Sequence, residues 1–128
     1  MQTLHSTLIG MAALLIVVML TGSAGAQPAE GQVSADYMME GCVRYLNGNL
    51  TRARTAFRAG ACVGVLNTLV WIGSSFVPHL RFCPPEGVTT EQAVSVVVRY
   101  IEARPESIDD PFAGLAVLAF QKAWPCRR

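Results

Sequence analysis

Four cysteines, Cys42, Cys62, Cys83 and Cys126, constrain this chain more than any other feature, because an apolar leader stands in front of them. Residues Met11 to Leu20 form an unbroken apolar stretch, and the small residues after it end in Ala24-Gly25-Ala26. That is the order of a secretory signal peptide with a small-x-small cleavage site, so residues 1–26 read as a cleaved leader and Gln27 as the mature start. Ahead of the apolar run stand no Lys or Arg, only His5 and the terminal amine. The run is shorter than the roughly 20 residues a membrane span takes, which favours cleavage over anchoring. An even number of cysteines delivered to an oxidising compartment implies two disulfides. Zinc would need close-spaced ligands such as Cys-x-x-Cys, and the sequence has none.

Three pairings are open. Cys42 with Cys62 and Cys83 with Cys126 is the preferred one, because each bond then ties elements that the helical pattern makes neighbours. Loops of roughly 20 and 40 residues would stabilise the fold by about 3 to 4 kcal/mol each on the chain-entropy account. Without its leader the chain keeps about 100 residues, enough for one domain with a modest core.

Residues 27–33, with Pro28 and Gly31, carry no periodic pattern and read as a disordered lead to a domain over 34–128. Ser34 is placed to cap a first helix whose apolar set is Tyr37, Met38, Cys42, Tyr45 and Leu46, closed by Asn47-Gly48-Asn49. Thr51 is placed to cap a second helix carrying Phe57, Cys62, Val65, Leu66, Leu69 and Phe76, with Arg52, Arg54 and Arg58 outward. From Ala61 to Val77 this helix is apolar nearly all round, which predicts burial on more than one side and makes it the central helix. A membrane span is its rival reading, interrupted by Asn67, Ser74 and Ser75.

Prolines at 78, 84 and 85 with Gly87 predict a loop holding Cys83. Thr89 and Gln92 form a capping box for a third helix through Val94, Val97 and Ile101, a run whose Val96-Val97-Val98 would also suit a strand. Pro105 stops it, since proline has no amide to continue a helix. Asp110 before Pro111 predicts the cap of a fourth helix through Phe112, Leu115, Leu118 and Trp124, ended by Pro125. The fold class is therefore all-α, a four-helix bundle stapled by disulfides, or five helices if a short extra turn is counted.

The chemistry of the side chains points away from catalysis. Net charge is +1 with both signs scattered and no basic block except Arg127-Arg128, which does not suit a phosphate-tracking nucleic-acid surface. His79 is the one histidine outside the leader and stands in a loop, where exposure is its ordinary state. The nine carboxylates are explained by caps, first turns and solubility. There is no phosphate loop, no GxSxG and no HExxH, so the chain reads as a non-enzyme without cofactor or metal. Trp71 and Trp124 fall on apolar stripes and read as core before partner hot spots. The Arg52, Arg54 and Arg58 face reads as solvated before acid-binding, and Gly60 with Gly64 as a point of close helix packing.

The segment from Cys83 carries Cys83-Pro84-Pro85-Glu86-Gly87-Val88-Thr89, Gln92, Val97-Val98-Arg99-Tyr100-Ile101, Arg104-Pro105-Glu106 and Trp124-Pro125-Cys126. This succession resembles the Rap1a/Tai family of immunity proteins, and Phe57 to Leu69 resembles the family's earlier cysteine-bearing helix. Arg104 stands where that family commonly has histidine, and Pro85 where a bulkier residue is frequent. The resemblance implies a periplasmic, all-helical, often dimeric protein that binds and occludes a peptidoglycan amidase toxin of a type VI secretion system. It also directs attention to Glu86, Arg104 and Glu106 as partner-binding residues. A homodimer is expected independently, because the apolar second helix and two tryptophans exceed what one small bundle covers. The alternative function is a non-enzymatic envelope protein, structural or protective under acid stress, on the same scaffold.

Overall fold

The computed structural model describes residues 31–127, so the leader and most of the expected lead lie outside the described residues. Four helices follow one another: α1 Ala35–Leu46, α2 Ala53–Ile72, α3 Thr90–Glu102 and α4 Phe112–Ala123. Two short 3-10 turns, Gly73–Ser75 and Pro105–Ser107, end α2 and separate α3 from α4, which accounts for the extra turn. Helices α1 and α2 pack chiefly on each other, α3 and α4 likewise, and α3 lies against both members of the first pair. Val96-Val97-Val98 are helical, because the capping box at Thr89 sets the backbone before β-branching can favour a strand.

The ends of the helices show how much each owes to its own sequence. Thr89 accepts from the Gln92 backbone N–H at 3.2 Å while the Gln92 side chain accepts from the Thr89 N–H at 2.9 Å, a complete capping box. After α1, Gly48 takes a φ of 65° that only glycine adopts freely, and the Asn49 and Gly48 amides donate to the Arg44 and Tyr45 carbonyls. Ser34 occupies the cap position of α1, but its side chain makes no capping bond. The amides of Ala35 and Asp36 donate instead to the carbonyls of Asp110 and Ile108, and the Phe112 amide donates to the Val33 carbonyl. That stitching also corrects the start of α4. Asp110 gives its carbonyl to α1 rather than its side chain to α4, and Pro111 holds the cap position. On α2 the cap position belongs to Arg52, one residue beyond Thr51, with no side-chain bond.

Both preferred disulfides are present. Cys42–Cys62 joins α1 to α2 with both residues fully buried, and Cys83–Cys126 joins the loop before α3 to the end of α4. Close approach of α1 to α2 falls at Gly41, where a Cβ would run into the Arg58 carbonyl. Gly60 and Gly64 have open space where their Cβ atoms would lie, so the expected packing role belongs to Gly41 instead.

On α3 the residues Ala93, Val94, Val97, Val98 and Ile101 form a buried stripe in one core with Leu115, Ala116, Ala119 and Phe120 of α4. The loop adds an anchor that periodicity does not mark, the fully buried Phe82. Its ring meets Phe76 edge-on at 6.1 Å and Phe120 at 5.1 Å, and Phe120 stacks on Trp124 at 4.9 Å. Gly73 makes room for it, since any side chain there would strike the Phe82 ring.

Candidate functional site

Among the described residues the histidine and the carboxylates are scattered over the surface. His79 is exposed, and its backbone carbonyl accepts from the Gln121 side chain at 2.8 Å. No cluster of metal-ligating side chains occurs among the described residues. What the fold does present is a set of surfaces.

Glu86, Arg104 and Glu106 do not come together. Glu86 is exposed in the turn before α3, next to Gly87, while Arg104 and Glu106 follow its far end. Thirteen helical residues intervene, a length of about 20 Å. Glu106 is exposed on the 3-10 turn. Arg104 is held in place: its guanidinium lies 3.9 Å over the Tyr100 ring and donates to the Tyr100 carbonyl at 3.0 Å. With Arg99 and Lys122 it lines a shallow hollow of about 360 Å³ floored by small α3 and α4 residues.

A second surface is apolar. Tyr37, Phe57, Val65, Phe112 and Ala113 line a groove of about 660 Å³ where α1, α2 and α4 meet. Pro111, Ala113 and Gly114 also border a neighbouring hollow of about 530 Å³ with Leu69, Leu80, Val117 and Leu118. Leu118, expected in the core stripe of α4, is 49% exposed there.

The third surface is the back of α2, and here the sequence expectation fails. Only Ala59, Cys62 and Leu66 of the helix are buried, a single stripe at helical spacing. Trp71 is 84% exposed and Phe57 70% exposed, so Trp71 is not a core residue. Trp124 does pack inward, onto Phe120. Helix α2 with its 3-10 turn, Ala53–Ser75, has the length and apolarity of a membrane span, yet its inner stripe is disulfide-bonded to α1 and packed by α3 and α4. An all-round apolar sequence cannot say which side the rest of the chain covers.

The arginine face also divides. Arg52 and Arg54 are exposed, but Arg58 turns toward α1, where it pairs with Glu40 and lies 4.7 Å over the Tyr37 ring. A cue was available: Tyr37 and Glu40 stand three apart on one side of α1.

A sequence model of the Rap1a immunity proteins matches residues 21–126 of the 128-residue chain. Comparison with curated proteins and with solved structures returns no match.

Proposed function

The chain belongs to the Rap1a immunity proteins, and from that premise we propose that it protects its producer by binding and occluding a peptidoglycan amidase toxin delivered by a type VI secretion system. Membership makes it an immunity protein whose partner is a secreted toxin. The amidase, the periplasmic meeting place and the assembly of the inhibitor as a homodimer are the further content of the proposal.

Family membership over 21–126 is the observation that carries it. The two disulfides support an oxidising compartment, since such bonds do not persist among cytosolic thiols. The leader reading of 1–26 supplies the route. Occlusion suits the surfaces available: rigid helices offer fixed shape, and a partner is blocked by coverage rather than by reaction. Arg104, pinned on Tyr100, and the exposed Glu86 and Glu106 are proposed contact residues on the α3 side.

The test is inhibition. Oxidised protein is titrated into a small Cys-His peptidoglycan amidase encoded beside its gene, with release of cross-link fragments as the readout. Loss of activity at a stoichiometric ratio is expected. Full activity at excess inhibitor, with no complex on a sizing column, would overturn the amidase reading and leave an envelope role.

A further inference from the structure

Phe57, Ala61, Val65 and Leu69 recur every four residues and so form one ridge of α2, about 18 Å long. The first three line the groove of about 660 Å³ and the last lines the hollow of about 530 Å³. The two depressions abut at Pro111, Ala113 and Gly114, where α4 begins. Val33, Tyr37, Phe57, Leu80 and Leu118, five of the eight large apolar residues exposed among the described ones, stand in their walls. Exposed apolar surface is thus gathered into one trough beside α2, the pattern of a ligand groove more than of scattered surface residues. Each depression has the size of a small-molecule site, about 300–1,000 Å³.

We propose that the trough holds a long-chain fatty acid, taken up as a monomer, with its carboxylate beside Arg54 and its tail along the ridge toward Leu69. The ligand is independent of whichever toxin the protein meets. Its length suits the ridge, since one lipid tail reaches about 15 Å, half of the roughly 30 Å hydrocarbon core of a bilayer. Its chemistry suits the walls. No charged residue lines the first depression, and Asp110 is the one that borders the second.

Charge sets the direction of the tail. From Gly41 to Pro85 the sequence has no Asp or Glu, and Arg52 and Arg54 stand exposed just ahead of Phe57. Arg54 lies three residues before Phe57 and seven before Ala61, on the side of α2 that carries the ridge. Arg58 is already paired with Glu40, which leaves Arg54 as the cation at this end of the trough. A guanidinium binds a carboxylate through charge-assisted hydrogen bonds. At the other end Asp110 disfavours a second negative group, so the head belongs with Arg54. Gly114 borders both depressions, and a Cβ there meets no atom within 4 Å. A larger side chain at that position fills the trough without disturbing the fold.

The experiment is calorimetric titration of the oxidised mature protein with myristate below its micelle-forming concentration. Tetradecanol and intact vesicles of phosphatidylglycerol with phosphatidylcholine are run beside it. Myristate is expected to bind one to one, and the protein not to sediment with the vesicles. Gly114→Leu should weaken myristate binding by about tenfold or more with the helical circular dichroism unchanged. Arg54→Gln should weaken it by about fivefold and leave tetradecanol binding as it was. Trp71→Ala, outside both linings, should change nothing. No binding of monomeric myristate, equal affinity for acid and alcohol, indifference to Gly114→Leu, or a loss caused by Trp71→Ala would each overturn the proposal. So would binding to vesicles alone, since the trough would then be a membrane-docking surface. A Gly114→Leu effect confined to sedimenting mass or to amidase inhibition would overturn it too, giving the trough to a second copy or to the toxin. Inhibition of the amidase is scored separately with lipid-free protein, so failure of one reading leaves the other standing.

Discussion

The two hairpins of this molecule are closed in opposite ways. The α1–α2 hairpin is stapled from inside by Cys42–Cys62, both residues fully buried, and leaves one whole face of its longer helix bare. The α3–α4 pair is stapled from outside, with Cys83 exposed and Cys126 half-buried, around a core filled by Phe82, Phe120 and a continuous valine stripe. One hairpin has a finished core and an accessible bond, the other a hidden bond and an unfinished surface. A disulfide can therefore do two different jobs, filling space within a core or closing a chain around one.

The contrast breaks most sharply under removal of each bond. On loop entropy alone the outer bond, closing 43 residues, should stabilise by about 4 kcal/mol and the inner one, closing 20, by about 3. The inner pair also leaves small cavities when truncated, which adds about 1–2 kcal/mol. Cys42→Ala with Cys62→Ala is thus expected to cost about 5 kcal/mol in urea unfolding, and Cys83→Ala with Cys126→Ala about 4. If the order is reversed, burial of the inner sulfurs contributes nothing and chain closure governs both.

Smaller changes sharpen the same comparison. Thr89→Ala removes the capping box that starts α3 and should lower stability by about 1 kcal/mol. Trp71→Ala, measured where the protein is dilute enough to be monomeric, should stay within about 0.5 kcal/mol of the native value despite the size of the ring. A loss of several kcal/mol there would mean that Trp71 is packed within its own chain.

The same division governs what could be read from residues alone. Helix α3 was legible despite Val96-Val97-Val98, which would also suit a strand, because a cap, a polar back and a stopping proline all agree on one register. The disulfide pairing was a preference among three, drawn from which elements the helical pattern makes neighbours, and the structure has the preferred one. Helix α2 was not legible, because periodicity reveals the inner side of a helix only when the outer side is polar. Trp71 was assigned to a core that lies on the other side of its helix. Phe82 escaped for a different reason: it stands between prolines in a loop, with no repeat to mark it, and its burial depends on Gly73 at the end of the preceding helix. Glu86, Arg104 and Glu106, expected to contact a partner, lie at two separate ends of α3 rather than in one patch.

The backbone stitching of Val33, Ala35 and Asp36 to Ile108, Asp110 and Phe112 has a consequence for how the protein comes apart. First-turn amides of a helix ordinarily exchange with solvent by fraying, without the domain unfolding. Those of Ala35 and Asp36 donate to carbonyls ahead of the last helix, so the first helix cannot peel away while the last stays docked. The stretch that opens the domain and the stretch that leads into the last helix form one cooperative unit, and the amides of Ala35, Asp36 and Phe112 should exchange deuterium at the rate of global unfolding.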